Sequence, residues 1–141
     1  MAGPPPRRIV PLTTSPFCPF SNERDTTEAR SVSPGLRVLS SVLVDTGAEL
    51  SWFPTHLLDE IGIKRIKQWH FRQADGSVLT RWAGVAIVRV AGVSCGDEVV
   101  FGEANDLVLL GARSLEGLNL KVDPWHKTLI DAGPAPAASA A

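Results

Sequence analysis

The sequence is poor in the residues that build covalent or metal cross-links. Its 141 residues include only two cysteines, Cys18 and Cys95, which lie far apart, whereas a disulfide framework or a zinc site needs more cysteines at closer spacing. The three histidines, His56, His70 and His126, are isolated from one another and from both cysteines. We therefore expect no metal, no cofactor and two free thiols, a pattern typical of the reducing cytoplasm.

An excess of charge of one sign and long apolar runs are also missing. The net charge is −1, whereas nucleic-acid-binding domains carry a clear basic excess. No apolar run approaches the length that spans a bilayer. We expect neither a nucleic-acid partner nor a membrane partner, and a chain of this length predicts a single small domain.

An apolar stretch that ends in a carboxylate dominates the middle of the chain. Residues 42–44 (Val-Leu-Val) predict a buried strand, and Asp45 follows at once, before Thr46, Gly47 and Ala48. A charge at the end of such a strand is costly to bury without hydrogen bonds. Gly47 lets backbone or ligand approach closely because it has no Cβ, and the Thr46 hydroxyl can lock the turn. The pattern indicates a carboxylate placed for chemistry; a phosphotransferase nucleophile would need a second Asp at position 47.

The chain divides into three parts. Residues 1–35 hold seven of the eleven prolines and predict a loop or disordered arm, with at most a short extended piece at Ile9–Val10. Residues 36–131 carry the strand patterns, and residues 132–141 form an Ala/Pro/Ser tail that predicts disorder. Within the domain we expect strands at 37–44, 63–71, 78–91, 98–101, 107–110, 118–122 and 128–130, and short helices that begin at Pro54 and Ala112.

Two segments of the domain share one pattern. Residues 42–63 and residues 107–122 each combine an apolar strand, a glycine turn, a short helix, a second glycine and a strand. Only the first segment has an Asp in its turn. Glu49 and Arg113 follow the two turns, so they are candidates for an ion pair between them.

A hairpin is predicted between these segments. Asp75-Gly76 is a strong signal for a two-residue turn, and Gln73, Ala74 and Ser77 flank it. Trp82 lies on the outgoing arm and is the tryptophan we would test as a peptide subsite, although tryptophan more often packs in a core.

These features together resemble the retropepsin-like aspartic proteases, in the form found in small bacterial members. The resemblance runs from Leu36 to Ile130. It rests on three motifs: Asp-Thr-Gly-Ala-Glu-Leu at 45–50, Ala-Asp-Gly at 74–76, and Leu-Leu-Gly-Ala-Arg-Ser-Leu-Glu-Gly at 109–117. It implies a mainly β fold: a small closed retropepsin-like (acid protease) β-barrel with one or two short helices, assembled as a homodimer.

The resemblance also implies an activity. Asp45 would be the catalytic carboxylate, Thr46 would contact the partner's turn, Gly47 and Ala48 would line the cleft floor, and Ala74–Ser77 would form the tip of a flap over a peptide substrate. Hydrolysis by carboxylates needs two of them sharing one proton, and only Asp45 has the required sequence setting. We therefore expect an aspartic endopeptidase that is a C2 homodimer. The alternative is a retropepsin-fold binding or dimerisation module with weak or no proteolysis.

Overall fold

The chain folds as a mainly β structure whose strands follow the apolar stretches of the sequence. The structure, a computed structural model, describes residues 8–16, 37–126 and 128–138. Within these residues there are nine strands and two short helices. In chain order they are β1 (Arg8–Pro16), β2 (Arg37–Val44), β3 (Ser51–Pro54), α1 (Thr55–Glu60), β4 (Lys67–Arg72), β5 (Val78–Val90), β6 (Val93–Gly102), β7 (Leu109–Leu110), α2 (Ala112–Gly117), β8 (Leu120–Asp123) and β9 (Thr128–Asp131).

Seven of the strands form one sheet in the order β1-β2-β7-β3-β6-β5-β4, and β8 pairs with β9 in a second sheet. The pairs β2–β7 and β3–β6 are parallel, and the other described pairs are antiparallel. β1 also pairs with the second half of β5 through Thr13–Pro16. β4 has β5 as its only neighbour among the described strands and is an edge strand. The sheet is not closed into the barrel that the sequence analysis expected.

The proline-rich arm departs most from expectation. Residues 8–16 form β1, which pairs along β2 from Arg8 opposite Val44 to Thr14 opposite Arg37, so the prediction of a loop is wrong there. The register shifts between Val10 and Leu12, on either side of Pro11, because proline has no N–H to give to the ladder. The rest of the predicted arm, residues 1–7 and 17–35, lies outside the described residues, as does Cys18.

Several strand boundaries also differ from the prediction, and β3 was not predicted. β7 and β8 each begin two residues later than expected. β4 begins at Lys67 and not at position 63. β6 begins at Val93 and includes positions 94–96, which were expected in a turn. The turn lies instead at Ala91 and Gly92, which have φ values of 51° and 81°. Both helices and the strand that leads to Asp45 are confirmed. Residues 132–138 carry no helix or strand, and 139–141 lie outside the described residues.

A single apolar cluster packs between the sheet and both helices. The side chains with no measurable exposure include Phe53, Leu58, Val88, Val99 and Leu110. Complete burial of each contributes about 1.5–3 kcal/mol. In contrast, no residue from Lys67 to Trp82 is buried, so the hairpin of β4 and the first half of β5 extends beyond the core. No helix in the described part of the chain is long and apolar enough to cross a membrane.

Candidate active site

Asp45 lies immediately after β2, at the point where this strand meets β7. Val44 is opposite Leu110 in the parallel pair, and the Asp45 amide donates to the Leu110 carbonyl at 3.0 Å. The Asp45 side chain is half-buried. Its Oδ1 accepts a hydrogen bond from the Gly47 amide at 2.9 Å, and its carbonyl accepts one from the Ala48 amide at 3.2 Å. The strand pair therefore fixes the Asp45 backbone through its amide, and the turn fixes the side chain through Oδ1.

The carboxylate of Asp45 has no charged partner among the described residues. Gly47 supplies its only hydrogen bond there, and no described cation lies within ion-pair distance of it. Thr46 and Gly47 are exposed, and Ala48 is half-buried. The turn predicted from the sequence is thus present, with its acid group available at the surface of the chain.

Gly111 provides the space in which this turn rests. A Cβ at position 111 would lie 2.5 Å from the Leu50 carbonyl oxygen and 2.9 Å from that of Ala48. The next residue, Ala112, donates its amide to the same Ala48 carbonyl at 2.7 Å. Only glycine permits this approach, because both neighbouring atoms belong to backbone and cannot rotate away.

The predicted ion pair between Glu49 and Arg113 is confirmed. Their side chains lie 3.1 Å apart, and the Arg113 amide also donates to the Glu49 carbonyl at 3.0 Å. Both side chains are largely exposed, at 43% for Arg113 and 65% for Glu49. The charge interaction therefore contributes at most about 1 kcal/mol, and the backbone bond is the firmer link between the two turns.

A chain of buried hydroxyl groups, missed by the sequence analysis, lies behind Gly111. Ser51 and Ser114 are fully buried, the only fully buried polar side chains in the described part of the structure. The Gly111 amide donates to Ser51 Oγ at 2.9 Å, the two serine Oγ atoms are 2.5 Å apart, and Ser114 donates to Asp97 Oδ2. In the sequence, these buried hydroxyl groups are indicated only by a serine at the start of an apolar strand. Asp97 lies within β6, one residue before the strand that was predicted at 98–101.

The hairpin loop contains the four residues proposed for the flap tip. Arg72 pairs with Val78, so the loop has the five residues 73–77 and is not the predicted two-residue turn. Gln73 N donates to Ser77 O at 2.8 Å, and Gly76, with φ of 89°, donates to Gln73 O. Asp75 accepts from the Ser77 hydroxyl and amide, which lowers the pKa of its carboxyl. These bonds are local, and none of the described bonds joins this loop to the Asp45 turn.

The hairpin is instead attached to the domain through aromatic and charged side chains of β4. Trp69 Nε1 donates to Glu98 Oε1 at 2.7 Å, and Arg113 lies 3.8 Å from the other Glu98 oxygen. The Phe71 ring contacts Trp52 with centroids 4.8 Å apart. Because Trp52 belongs to β3 and Glu98 to β6, these contacts connect the hairpin to both strands.

A cavity of about 910 Å³ lies on another part of the sheet. Phe53, Trp82, Phe101 and Leu107 contribute its apolar lining, and Asp45 is not among its lining residues. Trp82 is 42% exposed, so it borders a cavity, but one separate from the predicted carboxylate.

Ion pairs form part of the cavity wall, and the least exposed of them joins Arg81 to Asp106. Arg81 donates to both oxygens of Asp106, at 2.7 Å and 3.1 Å. The hydrogen bond from Arg81 lowers the pKa of Asp106, and that from Asp106 raises the pKa of Arg81. The cavity therefore presents apolar surface beside an arginine and an aspartate that are already paired.

The remaining candidates show no ligand arrangement. His70 Nδ1 is 2.9 Å from Thr80 Oγ1 and His126 Nδ1 is 2.6 Å from Asp123. Across residues 8–16, 37–126 and 128–138, no group of three or more His, Cys, Asp and Glu side chains is arranged to hold a metal ion. Cys95 is a free thiol, and burial, followed by the charge of Asp97, raises its pKa to about 11.

No protein-family model and no curated protein matches this chain. A functional proposal for it therefore depends on the geometry around Asp45.

Proposed function

We propose that the chain is a retropepsin-like aspartic endopeptidase of the cytoplasm that cleaves peptide bonds as a homodimer. The observation that carries the proposal is the setting of Asp45: a half-buried carboxylate at the end of a core strand, bonded within the described chain only to the amide of Gly47. Such a group is held in place, lacks a neutralising cation among the described residues, and is open to a second carboxylate.

The chemistry requires that second carboxylate. In an aspartic protease one carboxylate activates water as a general base, while the other, protonated, polarises the carbonyl of the peptide bond. Two carboxylates held this close share one proton because a second negative charge is strongly disfavoured. We therefore expect hydrolysis to be fastest below neutral pH, where the pair carries one proton.

The second carboxylate is proposed to be Asp45 of a second chain, since no other described Asp lies in a Thr-Gly turn after a core strand, and each has a hydrogen-bond partner of its own. The partners are Arg65 for Asp59, Ser77 for Asp75, Ser114 for Asp97, Arg81 for Asp106, His126 for Asp123, and Gly133 for Asp131. A C2 axis beside Asp45 would bring two copies together, and the exposed Thr46 and Gly47 would face the partner's turn.

The hairpin of β4 and β5 supports a role for residues 74–77 at the flap tip. It extends beyond the core with no buried residue from Lys67 to Trp82, so it has room to move over an extended peptide. Its β4 arm is fixed as far as Phe71, because Trp69 bonds to Glu98 and Phe71 contacts Trp52, which leaves the loop of residues 73–77 beyond these contacts. We propose that Ala74, Asp75, Gly76 and Ser77 contact the peptide backbone from above.

Substitution of Asp45 by Asn tests the proposal directly. Purified wild-type chain should cleave members of a mixed peptide library at acidic pH, and Asp45→Asn should abolish cleavage while it preserves the circular dichroism spectrum. Asp59→Asn, which removes an exposed ion pair with Arg65, is the matched control and should remain active.

Mixed dimers test the shared pair in the same experiment. Excess Asp45→Asn chain added to wild type should lower the activity per wild-type chain, because mixed dimers carry one competent carboxylate. Activity that persists in Asp45→Asn would place the chemistry elsewhere. Peptide binding without cleavage by both chains would favour the binding module instead.

A further inference from the structure

The buried hydroxyl groups behind Gly111 form a chain with one direction. The Gly111 amide can only donate, so Ser51 Oγ accepts from it. The carboxylate of Asp97 can only accept, so Ser114 donates to it. The single proton left between the serines must then come from Ser51, whose O–H donates to Ser114 Oγ. Every donor in this series of hydrogen bonds has an acceptor only because the Asp97 carboxylate lies at the end of the series.

Both oxygens of that acceptor are engaged. Asp97 Oδ2 accepts from Ser114, and Asp97 Oδ1 accepts from the Glu98 amide at 2.8 Å. Asp97 also stands on β6, which pairs directly with β3 through Val99 opposite Ser51. The carboxylate is therefore fixed by its own strand and, through the serines, by β3 and the start of α2.

At its other end, the series of hydrogen-bonded hydroxyl groups reaches the Asp45 turn. Gly111 is bonded covalently to Leu110, whose carbonyl accepts the Asp45 amide at 3.0 Å. Ser51 stands six residues after Asp45, where β3 begins. The hydroxyl chain thus holds both the strand end that receives Asp45 and the strand that leaves the turn.

Two buried serines at this position are unfavourable for the free energy of folding compared with apolar side chains. A buried hydroxyl group costs free energy unless it is hydrogen-bonded, and an apolar core would need no such network. The polar chain instead fixes a direction and a distance between β6 and the Gly111 turn, because each hydroxyl group has one arrangement that satisfies it.

We propose that Asp97 is a positioning residue for Asp45 and acts through Ser114, Ser51 and the Gly111 amide. Its catalytic consequence rests on the proposed function of Asp45, but its structural consequence does not. Loss of the terminal acceptor leaves Ser114 and Ser51 free to reorient, which releases the Gly111 amide and shifts Leu110 and Asp45.

Nuclear magnetic resonance on isotope-labelled full-length chain tests this without any substrate. In Asp97→Ala, the amide signals of Asp45, Gly47 and Gly111 and the carboxyl 13C signal of Asp45 should move. Ser114→Ala should move the same signals, and the double variant should move them no further than the larger single change. Asp97→Asn should give a smaller shift and serves if Asp97→Ala fails to fold, since the NH2 group that replaces one carboxylate oxygen cannot accept and only one of the bonds from Ser114 and Glu98 is lost.

Asp106→Asn is the matched control. It removes another half-buried, hydrogen-bonded carboxylate far from this chain of bonds, and it should leave those four signals in place. On a cleaved peptide, Asp97→Ala should lower kcat about tenfold to a hundredfold with KM unchanged, as expected for a misplaced reacting group.

Two results would overturn the proposal: Asp45 signals in Asp97→Ala that match those in Asp106→Asn, or single-variant shifts that simply add in the double variant. Absence of hydrolysis by the wild type would count against the proposed endopeptidase alone, because the spectroscopic comparison still decides the role of Asp97.

Discussion

A methyl group added at Gly111 should disable the Asp45 turn by direct backbone collision. The new Cβ would lie 2.5 Å from Leu50 O, 2.6 Å from Leu50 C and 2.9 Å from Ala48 O. Ordinary contact begins at 3.4 Å, so the two backbones must separate by about 0.9 Å to relieve the overlap. The φ of Gly111 is −93°, which alanine adopts easily, and the cost is therefore steric and not conformational.

The size of the effect follows from what that movement breaks. The Ala112 to Ala48 bond, at 2.7 Å, and the Gly111 to Ser51 bond, at 2.9 Å, both cross the gap that must widen. Overpacking of this kind costs about 3 kcal/mol. Movement of a reacting group by about 1 Å lowers the rate about a hundredfold, so Gly111→Ala should lose both stability and activity.

Gly84→Ala separates these two effects. Its Cβ would lie 2.3 Å from the Lys64 carbonyl oxygen and 2.8 Å from Ile63 Cγ2, so it should destabilise the chain at least as much without touching the turn. Urea unfolding at a fixed chain concentration gives the stability of each variant. Peptide hydrolysis below the onset of unfolding gives the rate. A Gly111→Ala chain as stable and as active as wild type, or one no slower than Gly84→Ala, would refute the reasoning.

Two further measurements concern ionisable side chains. In a Cys18→Ser background, iodoacetamide at pH 8 should alkylate Cys95 about a hundredfold more slowly in the folded chain than in guanidinium, because its pKa is raised to about 11 by burial and by Asp97; equal rates would refute this. Asp106→Asn should lower the free energy of unfolding by about 2 kcal/mol at pH 7, since Arg81 loses a partly buried partner. Because the pKa of Asp106 is lowered in the folded chain, this stabilisation is complete above about pH 4 and is lost as the pH falls further. The difference between wild type and variant should therefore shrink at acidic pH, and a constant difference in urea unfolding would contradict the assignment.

The local sequence was sufficient to predict the features whose geometry depends on one residue type. The strand before Asp45 follows from three consecutive aliphatic residues, and the ends of α1 and α2 follow from spacing and glycine. The ion pair of Glu49 with Arg113 was predicted from the similarity of two turns alone. These features depend on few neighbours, so a pattern along the chain predicts them.

Long-range pairing and local side-chain hydrogen bonds explain the predictions that failed. β1 was expected to be a loop because it contains Pro11, but a ladder tolerates proline at a shift in register such as the one beside Val10. The loop after Arg72 has five residues because Ser77 bonds to both Gln73 and Asp75, an arrangement that outweighs the Asp-Gly signal. Asp97 could not be recognised, since its partner Ser114 lies in another element.

The two similar segments owe their functional difference to a single pair of positions. Parallel pairing sets Leu43 beside Leu109 and Val44 beside Leu110, so the next residues, Asp45 and Gly111, leave the sheet at the same edge. Position 45 carries a carboxylate. Position 111 lacks even a Cβ, so the turn after Asp45 can approach it within hydrogen-bonding distance. A second carboxylate at position 111 would collide with Leu50. Position 111 therefore cannot carry the second carboxylate of the proposed pair, which is consistent with our proposal that another chain supplies it.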